Sequence, residues 1–143
     1  MDDLDHKILT QLATDARSSI ALLARRLDVA RTTIQARIER LENQGVIAGY
    51  TIRLGEKATA RRIRATALLQ VEPRATPAVL QRLKALGQVE TAHTTSGRFD
   101  LILGISVRST VELDQTLDTI GAIQGVRSSE SLIHLTTKID RAL

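Results

Sequence analysis

The sequence predicts an α+β chain in which a helical N-terminal part precedes a C-terminal part of order βαββαβ. Up to residue 45 the apolar residues recur at three- and four-residue spacing, which is the period of amphipathic helices. From residue 63 onward, apolar runs typical of strands alternate with segments of helical period, and glycine, proline or capping residues separate them. With 143 residues, 43% of them hydrophobic, the chain is long enough for two small domains.

The composition restricts the class of function. A net charge of +4 suits an anionic partner, and the absence of cysteine excludes disulfides and thiol chemistry. The acidic start is unlike a signal peptide and no apolar run reaches membrane-spanning length, so we expect a cytoplasmic protein without membrane segments. Aromatic residues, on which single-stranded nucleic acids stack, are limited to Tyr50 and Phe99, so a nucleic-acid partner would be duplex DNA.

Three helices are predicted in the N-terminal part. Asp2 or Asp3 can cap the first and favour the positive end of its dipole. The other two are separated only by Asp28-Val29, a connection that is too short for anything except a tight turn. This is the pattern of a helix-turn-helix, whose second helix lies in the major groove of DNA. The apolar faces consist of Ile8, Leu9, Leu12 and Ala13, of Ile20, Leu23, Ala24 and Leu27, and of Ile34, Ile38 and Leu41.

The polar side of the third helix carries residue types that contact DNA. Hydroxyls and alanine allow close approach to base edges, glutamine can bond adenine, and arginine can bond guanine or phosphate. Between residues 17 and 40, six arginines stand against two acidic residues. An ordinary surface helix pair is the alternative that these residues leave open. The residues predicted to bind DNA are Arg31, Thr32, Thr33, Gln35, Ala36, Arg37 and Arg40.

A wing and a linker are predicted next. Gly45 ends the third helix, where a left-handed backbone is favoured. Tyr50, Ile52 and Leu54 then alternate like a strand, so we place a winged helix-turn-helix domain at residues 1–54. Residues 55–62 are predicted to be a linker, because the basic stretch there has little periodicity.

Residues 63–143 predict a ferredoxin-like βαββαβ domain. Its first helix would be capped by Thr76 and opened by Pro77, and its second would begin with a capping box from Ser109 to Glu112. The strands are predicted at residues 63–71, 88–95, 100–107 and 126–138, with a hairpin at 96–98.

Two of these strands are apolar on both faces, since residues 67–69 and 101–103 are consecutive apolar residues. One face of the sheet would pack on the helices and the other would be a partner surface. We therefore expect a homodimer, or a larger homo-oligomer, in which two DNA-binding domains are paired for a two-fold operator.

The string R-x-S-x-x-x-L-A-x-x-x-x-V, followed by T-x-x-x-R-I-x-R-L-E-x-x-G-V-I-x-G-Y, runs from Arg17 to Tyr50. It resembles the DNA-binding half of the Lrp/AsnC (leucine-responsive, or feast/famine) transcription regulators, and the βαββαβ part resembles their effector-sensing domain. The family usually has Gly where Asp28 stands and Ser where Ala30 stands. The turn is therefore expected to be less rigid, and a missing helix cap costs about 1 kcal/mol.

The resemblance implies a sequence-specific, duplex-DNA-binding transcriptional regulator that responds to a small effector, an amino acid by preference. Residues 96–100 match the family's G-x-x-D motif at the effector pocket, where the aspartate would bind an amino group or hold the loop. Spacing alone favours a plain hairpin, in which the glycine makes the turn and the aspartate accepts from backbone N–H groups. The effector-binding residues implied are Gly97, Arg98, Phe99, Asp100, Ser129 and Ser131.

Two alternative functions stay open. Some relatives decarboxylate siroheme-type tetrapyrroles with His, Tyr and Arg on the same scaffold, whereas this chain has one tyrosine and three widely spaced histidines, His6, His93 and His134. We therefore expect no enzyme activity, no cofactor and no metal. The other alternative is a ligand-binding module with a vestigial DNA-binding domain.

Overall fold

The computed structural model describes residues 1–141, whose main parts are two compact units, Met1–Arg53 and Leu54–Asp140. The first unit is helical, and the second contains a four-stranded antiparallel sheet with helices. The α+β class is therefore confirmed. Among the described residues, no helix is long and apolar enough to cross a membrane.

The first unit consists of three helices, α1 (Asp3–Thr14), α2 (Ile20–Leu27) and α3 (Arg31–Asn43). Ile8, Leu23, Ile34 and Leu41 from the three helices are fully buried together, as their spacing predicts. Ala13 is exposed, so its assignment to the buried face of α1 is wrong. Five residues after Ile8 on a helix is a rotation of about 140°, which turns this side chain away from the core.

The beginnings of α1 and α2 have side-chain caps. Asp2 accepts a hydrogen bond from the Asp5 backbone N–H at 3.0 Å, and Asp5 accepts one from the Asp2 backbone N–H at 3.1 Å. Ser19 accepts from the Leu22 backbone N–H at 3.1 Å. These bonds satisfy donors that the first turn of a helix leaves unpaired, and the aspartates also favour its dipole.

The turn between α2 and α3 contains the two residues that depart from the family pattern, Asp28 and Ala30. Asp28 adopts a left-handed backbone, with φ 54° and ψ 50°, a conformation that glycine would adopt without steric cost. Ala30 is the N-cap residue of α3 and provides no side-chain bond to the helix. After α3 the backbone of Gly45 is left-handed at φ 71°, as predicted.

The predicted wing strand is not formed. Residues 48–55 have no regular secondary structure, and the side chains of Tyr50, Ile52 and Leu54 are exposed. A strand requires a neighbour that pairs with its N–H and C=O groups. In the described part of the chain the only sheet belongs to the second unit, and all its strands follow residue 62. Alternation of apolar residues alone is therefore not enough to form a strand at residues 48–55.

The second unit has the predicted βαββαβ order. Its sheet, in the order β2-β3-β1-β4, is antiparallel throughout. The strands are β1 (Ile63–Val71), β2 (Val89–Thr94), β3 (Leu101–Val107) and β4 (Val126–Ile133), and the helices are α4 (Glu56–Thr59), α5 (Thr76–Lys84) and α6 (Thr110–Gly121).

One face of the sheet is covered by α5 and α6, and the other is open. The covered face buries alternate residues of the two central strands, such as Leu69, Leu101 and Leu103, against helix residues such as Val79 and Ile120. The open face includes Leu68 and Ile102, which are half-buried cross-strand partners. The alternation of a strand places the two sets on opposite faces.

The segment predicted to be a linker contains one helical turn, α4. Two local predictions in the second unit are wrong. Thr76 is the first residue of α5 rather than its cap, and Ala75 stands at the cap position without a side-chain bond. Strand β4 ends at Ile133 rather than near residue 138. The His134 N–H still donates to the Arg64 carbonyl at 2.9 Å, but in this register β1 begins opposite residue 135, so residues 136–138 have no partner in β1.

Candidate DNA-binding surface and effector site

Helix α3 presents two different polar regions. Its exposed face carries Arg31, Thr32, Gln35 and Ala36, four of the residues predicted to bind DNA. The Gln35 amide donates to the Glu39 carboxylate at 3.2 Å within this face. Because these side chains are exposed on one helical face, they can approach base edges and phosphates together.

The other three predicted residues lie toward α1. Thr33 and Arg37 are half-buried, and Arg40 is more exposed. Arg37 Nη1 lies 2.5 Å from Asp2 Oδ2 and 3.1 Å from Asp5 Oδ1, and Arg40 Nη2 lies 2.6 Å from Asp5 Oδ2. The two arginines therefore bind carboxylates of α1 and its cap in this structure. Arg37 is withdrawn from the exposed face of α3, whereas the Arg40 side chain stays 45% exposed while it is paired.

The cluster of Asp2, Asp5, Arg37 and Arg40, the α1–α3 ion network, shifts the pKa values of three of its members. The Arg37 hydrogen bond and, after it, the Asp5 backbone N–H lower the pKa of Asp2 to about 2. The Asp2 backbone N–H is the main cause that lowers the pKa of Asp5, with burial opposing it. The pKa of Arg37 is raised by its bonds to Asp2 and then Asp5. In each case the network favours the charged form.

The sequence analysis did not identify Asp2 and Asp5 as part of this region. A signal was present, since the two aspartates stand three residues apart, and so do Arg37 and Arg40. Such spacing places each pair on one helical side. The spacing does not reveal that the two sides meet.

The predicted effector hairpin lies between β2 and β3. Gly97 has φ 115°, a backbone that glycine adopts readily, so its predicted turn role is confirmed. Asp100 Oδ2 accepts a hydrogen bond from the Val71 backbone N–H at 2.8 Å, and the Asp100 N–H donates to the Leu69 carbonyl at 2.8 Å. Asp100 therefore holds the hairpin against the end of β1.

An open depression of about 360 Å³ lies beside this hairpin and is formed by the hairpin, β1 and β4. It brings together three of the predicted effector residues, Arg98, Phe99 and Ser129, whereas Gly97, Asp100 and Ser131 do not line it. Its other lining residues, which the sequence analysis missed, are Gln70, Ser128 and Glu130. These three could be found only from strand pairing, because Gln70 is the cross-strand partner of Ser128.

The lining is polar and carries both signs of charge. The Gln70 amide donates to the Arg98 carbonyl at 2.8 Å and its oxygen accepts from the Ser128 hydroxyl at 2.8 Å. The Arg98 guanidinium lies 5.0 Å from the centre of the Phe99 ring and 3.7 Å from Glu130 Oε2. Because the Arg98–Glu130 pair is largely exposed, its mutual stabilisation is small and either group can exchange its partner.

Comparison with known families decides the relationship. Residues 1–48 match the family model of winged helix-turn-helix DNA-binding domains, and residues 64–143 match that of the Lrp/AsnC ligand binding domain. The chain belongs to the Lrp/AsnC family of transcriptional regulators. As a member of the Lrp/AsnC family it combines a DNA-binding helix-turn-helix with a ligand-binding domain, which confirms the resemblance seen in the sequence.

Similar proteins include named regulators of the Lrp/AsnC family. The chain is 33% identical over 138 residues to the HTH-type transcriptional regulator LysM of Saccharolobus solfataricus, covering 96% of this chain and 95% of LysM. The solved structure of E. coli AsnC is 28% identical with a TM-score of 0.90, covering 100% and 97%. A feast or famine regulatory protein from M. tuberculosis, complexed with L-methionine, is 29% identical with a TM-score of 0.84, covering 99% and 97%.

Proposed function

We propose that this regulator binds duplex DNA as a homodimer or larger homo-oligomer and that a free amino acid controls its DNA affinity or its assembly. The observation that carries the effector part is the exposed pair of opposite charges, Arg98 and Glu130, in the depression beside the hairpin. Within this proposal the DNA-binding domain is residues 1–54, the linker 55–62 and the sensing domain 63–143.

The DNA part is supported by the exposed face of α3. Arg31 and Thr32 are in the first turn of the helix, where a recognition helix contacts base edges most closely. Gln35 and Ala36 continue the same face one turn later. The polar and small side chains there suit major-groove readout, in which hydrogen bonds to base edges supply specificity.

The effector part is supported by charge complementarity. An α-amino acid carries a carboxylate and an ammonium group close together, which match the guanidinium of Arg98 and the carboxylate of Glu130. Ser129 and the Gln70 amide provide neutral hydrogen-bonding groups beside them. The relative complexed with L-methionine is consistent with this ligand class. Asp100 then acts by holding the loop, and Ser131 lies outside the depression.

The assembly is supported by the open sheet face. Leu68 and Ile102 are adjacent there, and Leu132 of β4 lies on the same side, opposite Thr66. An apolar patch on an open antiparallel sheet is buried when two copies associate through it. Two copies paired in this way carry two α3 helices, one for each half of a two-fold operator, and act in the cytoplasm where that DNA lies.

Thermal unfolding of the full chain with each of the twenty amino acids tests the effector site. A ligand at 100 times its dissociation constant should stabilise the protein by about 2.7 kcal/mol. Arg98→Ala should abolish this rise in unfolding temperature. Arg127→Ala should keep it, because Arg127 also lies near the depression, on strand β4, but is paired with Glu72 instead of Glu130. An equal response of wild type and Arg98→Ala would contradict the proposed site.

Gel-shift titration on duplexes selected from a random pool tests the regulatory part. The stabilising amino acid should change DNA affinity by several-fold to about hundred-fold, the usual size of allosteric coupling. A chain that binds amino acids and no duplex would instead be a ligand-binding module. Absorption spectra that change after incubation with siroheme-type tetrapyrroles would favour the enzyme alternative.

A further inference from the structure

Asp5 is a charged residue without solvent exposure inside the DNA-binding unit. Burial of an unpaired carboxylate is very costly, so the partners of Asp5 stabilise the folded state. Its oxygens receive three hydrogen bonds, from the Asp2 backbone N–H, from Arg37 at 3.1 Å and from Arg40 at 2.6 Å. The only buried acid of this unit in the described part of the chain is thus bound to two arginines of α3.

The α1–α3 ion network connects the first turn of α1 with the middle of α3. Arg37 and Arg40 are three residues apart, so both project from one side of α3, and both reach acids that are also three residues apart. Rotation of α3 about its axis would move both guanidinium groups away from their carboxylates. The network therefore fixes which residues α3 presents on its opposite, exposed face.

The charges of the network balance. Two carboxylates and two guanidinium groups lie within hydrogen-bonding distance of one another, so the network as a whole is neutral. Only a cation that neutralises a phosphate releases a counterion and steepens the salt dependence of DNA binding. Arg31 has no ion pair or hydrogen bond from its side chain among residues 1–141, and its charge is available to DNA.

We propose that Arg37 and Arg40 are positioning residues, held by Asp2 and Asp5, which set the rotation of α3 in the groove. DNA sequence is read by the exposed face with Arg31, Thr32, Gln35 and Ala36. This inference rests on the proposed DNA binding, and it removes two arginines from the residues predicted to contact DNA directly.

The first test compares Arg37→Gln with Arg31→Gln in the full chain. The probes are a duplex that the wild type selects from a random pool and a scrambled duplex of the same composition. Arg31→Gln should lower the slope of log affinity against log salt by about one. Arg37→Gln should leave the slope unchanged, because Arg37 neutralises no phosphate. It should reduce the preference for the selected duplex over the scrambled one by about 5- to 100-fold, because a rotated α3 loses about one base contact.

A slope that falls as much in Arg37→Gln as in Arg31→Gln would overturn the inference, because Arg37 would then neutralise a phosphate. Full retention of both slope and preference would overturn it as well. If the wild type selects no duplex at all, the proposed DNA binding itself fails. Urea unfolding of each variant shows that the compared proteins are folded.

The second test uses Asp2, since Asp5 is buried and its replacement endangers folding. Asp2→Asn keeps a side chain that caps helices and removes only the charge beside Arg37. Affinity for the scrambled duplex should rise and the salt slope should steepen by up to about one. Asp3→Asn is the matched control, because Asp3 is an exposed neighbour that pairs with Lys7 instead.

The two tests combine in a double-mutant cycle. In the double variant Asp2→Asn with Arg37→Gln, the effect of Asp2 on the slope should vanish, because the freed charge is absent. Equal effects of Asp2→Asn and Asp3→Asn would show that general charge, rather than the network, governs binding. Persistence of the Asp2 effect without Arg37 would likewise overturn the proposal.

Discussion

In the first unit, the pKa values of Asp2 and Asp5 depend on the groups that bond to their carboxylates. The pKa of Asp2 is lowered to about 2, mainly by its hydrogen bond from Arg37 of α3, and that of Asp5 is lowered mainly by the Asp2 backbone N–H within the cap of α1. Both bonds belong to the folded unit. In the unfolded chain both groups return to an ordinary pKa near 4. Folding is therefore linked to their deprotonation.

The sign of this linkage predicts acid sensitivity. Below about pH 4 the unfolded state binds protons more readily than the folded state, so stability is complete above that pH and falls as pH decreases toward 2. Urea unfolding at pH 6, 4, 3 and 2.5 measures this loss. Asp2→Asn should show a weaker dependence over the same range. Parallel loss in both proteins would contradict the assignment.

At the scale of elements, α3 begins without a side-chain cap. Its N-cap residue Ala30 already has the extended backbone of a cap residue, φ −65° and ψ 147°, and lacks only an oxygen acceptor. The preceding helix α2 has that acceptor in Ser19. The two helices therefore form an internal comparison of the same chemistry.

Ala30→Ser should stabilise the chain by about 1 kcal/mol, because the new hydroxyl can accept from an unpaired N–H of the first turn. Ser19→Ala should destabilise it by a similar amount. Urea midpoints of the three proteins measure both effects. The account of the cap fails if Ser19→Ala lowers the midpoint while Ala30→Ser leaves it unchanged.

Most elements follow from sequence periodicity, and the exceptions have one cause. Strand β1 and the start of β4 agree with their predictions, and Ser109 caps α6 by accepting from the Glu112 N–H at 3.1 Å. The wing and the end of β4 were predicted from alternation, yet the wing has no neighbouring strand within the described residues and residues 136–138 lie beyond the start of β1. Alternation states which side is apolar, whereas pairing decides whether a strand exists.

At the scale of the whole molecule, the central strands have different faces for folding and for association. Leu101 is fully buried beneath the helices, and Ile102 lies on the open face next to Leu68. The consecutive apolar residues of β3 thus lie alternately on the covered face and on the open face of the sheet. The structure assigns the core to the odd-numbered positions of β3, and the even-numbered face is the proposed partner surface.

Leu101→Asp should unfold the chain, because a buried unpaired carboxylate costs several kcal/mol. Ile102→Asp should keep the circular dichroism of the folded chain and reduce its mass in sedimentation. Val111→Asp, on the exposed side of α6, is the control that should change neither. Unchanged mass in folded Ile102→Asp would contradict association through this face.

The helix-turn-helix, the βαββαβ order, the left-handed backbone at Gly45 and the family follow from the amino-acid sequence, because these depend on local periods and on residues close in the chain. The partner of each charged group follows only from the packing of the folded chain. Arg37 meets Asp5 across 32 positions, and Asp100 holds the Val71 N–H across 29. Such pairs depend on how elements pack, which spacing along one element does not specify.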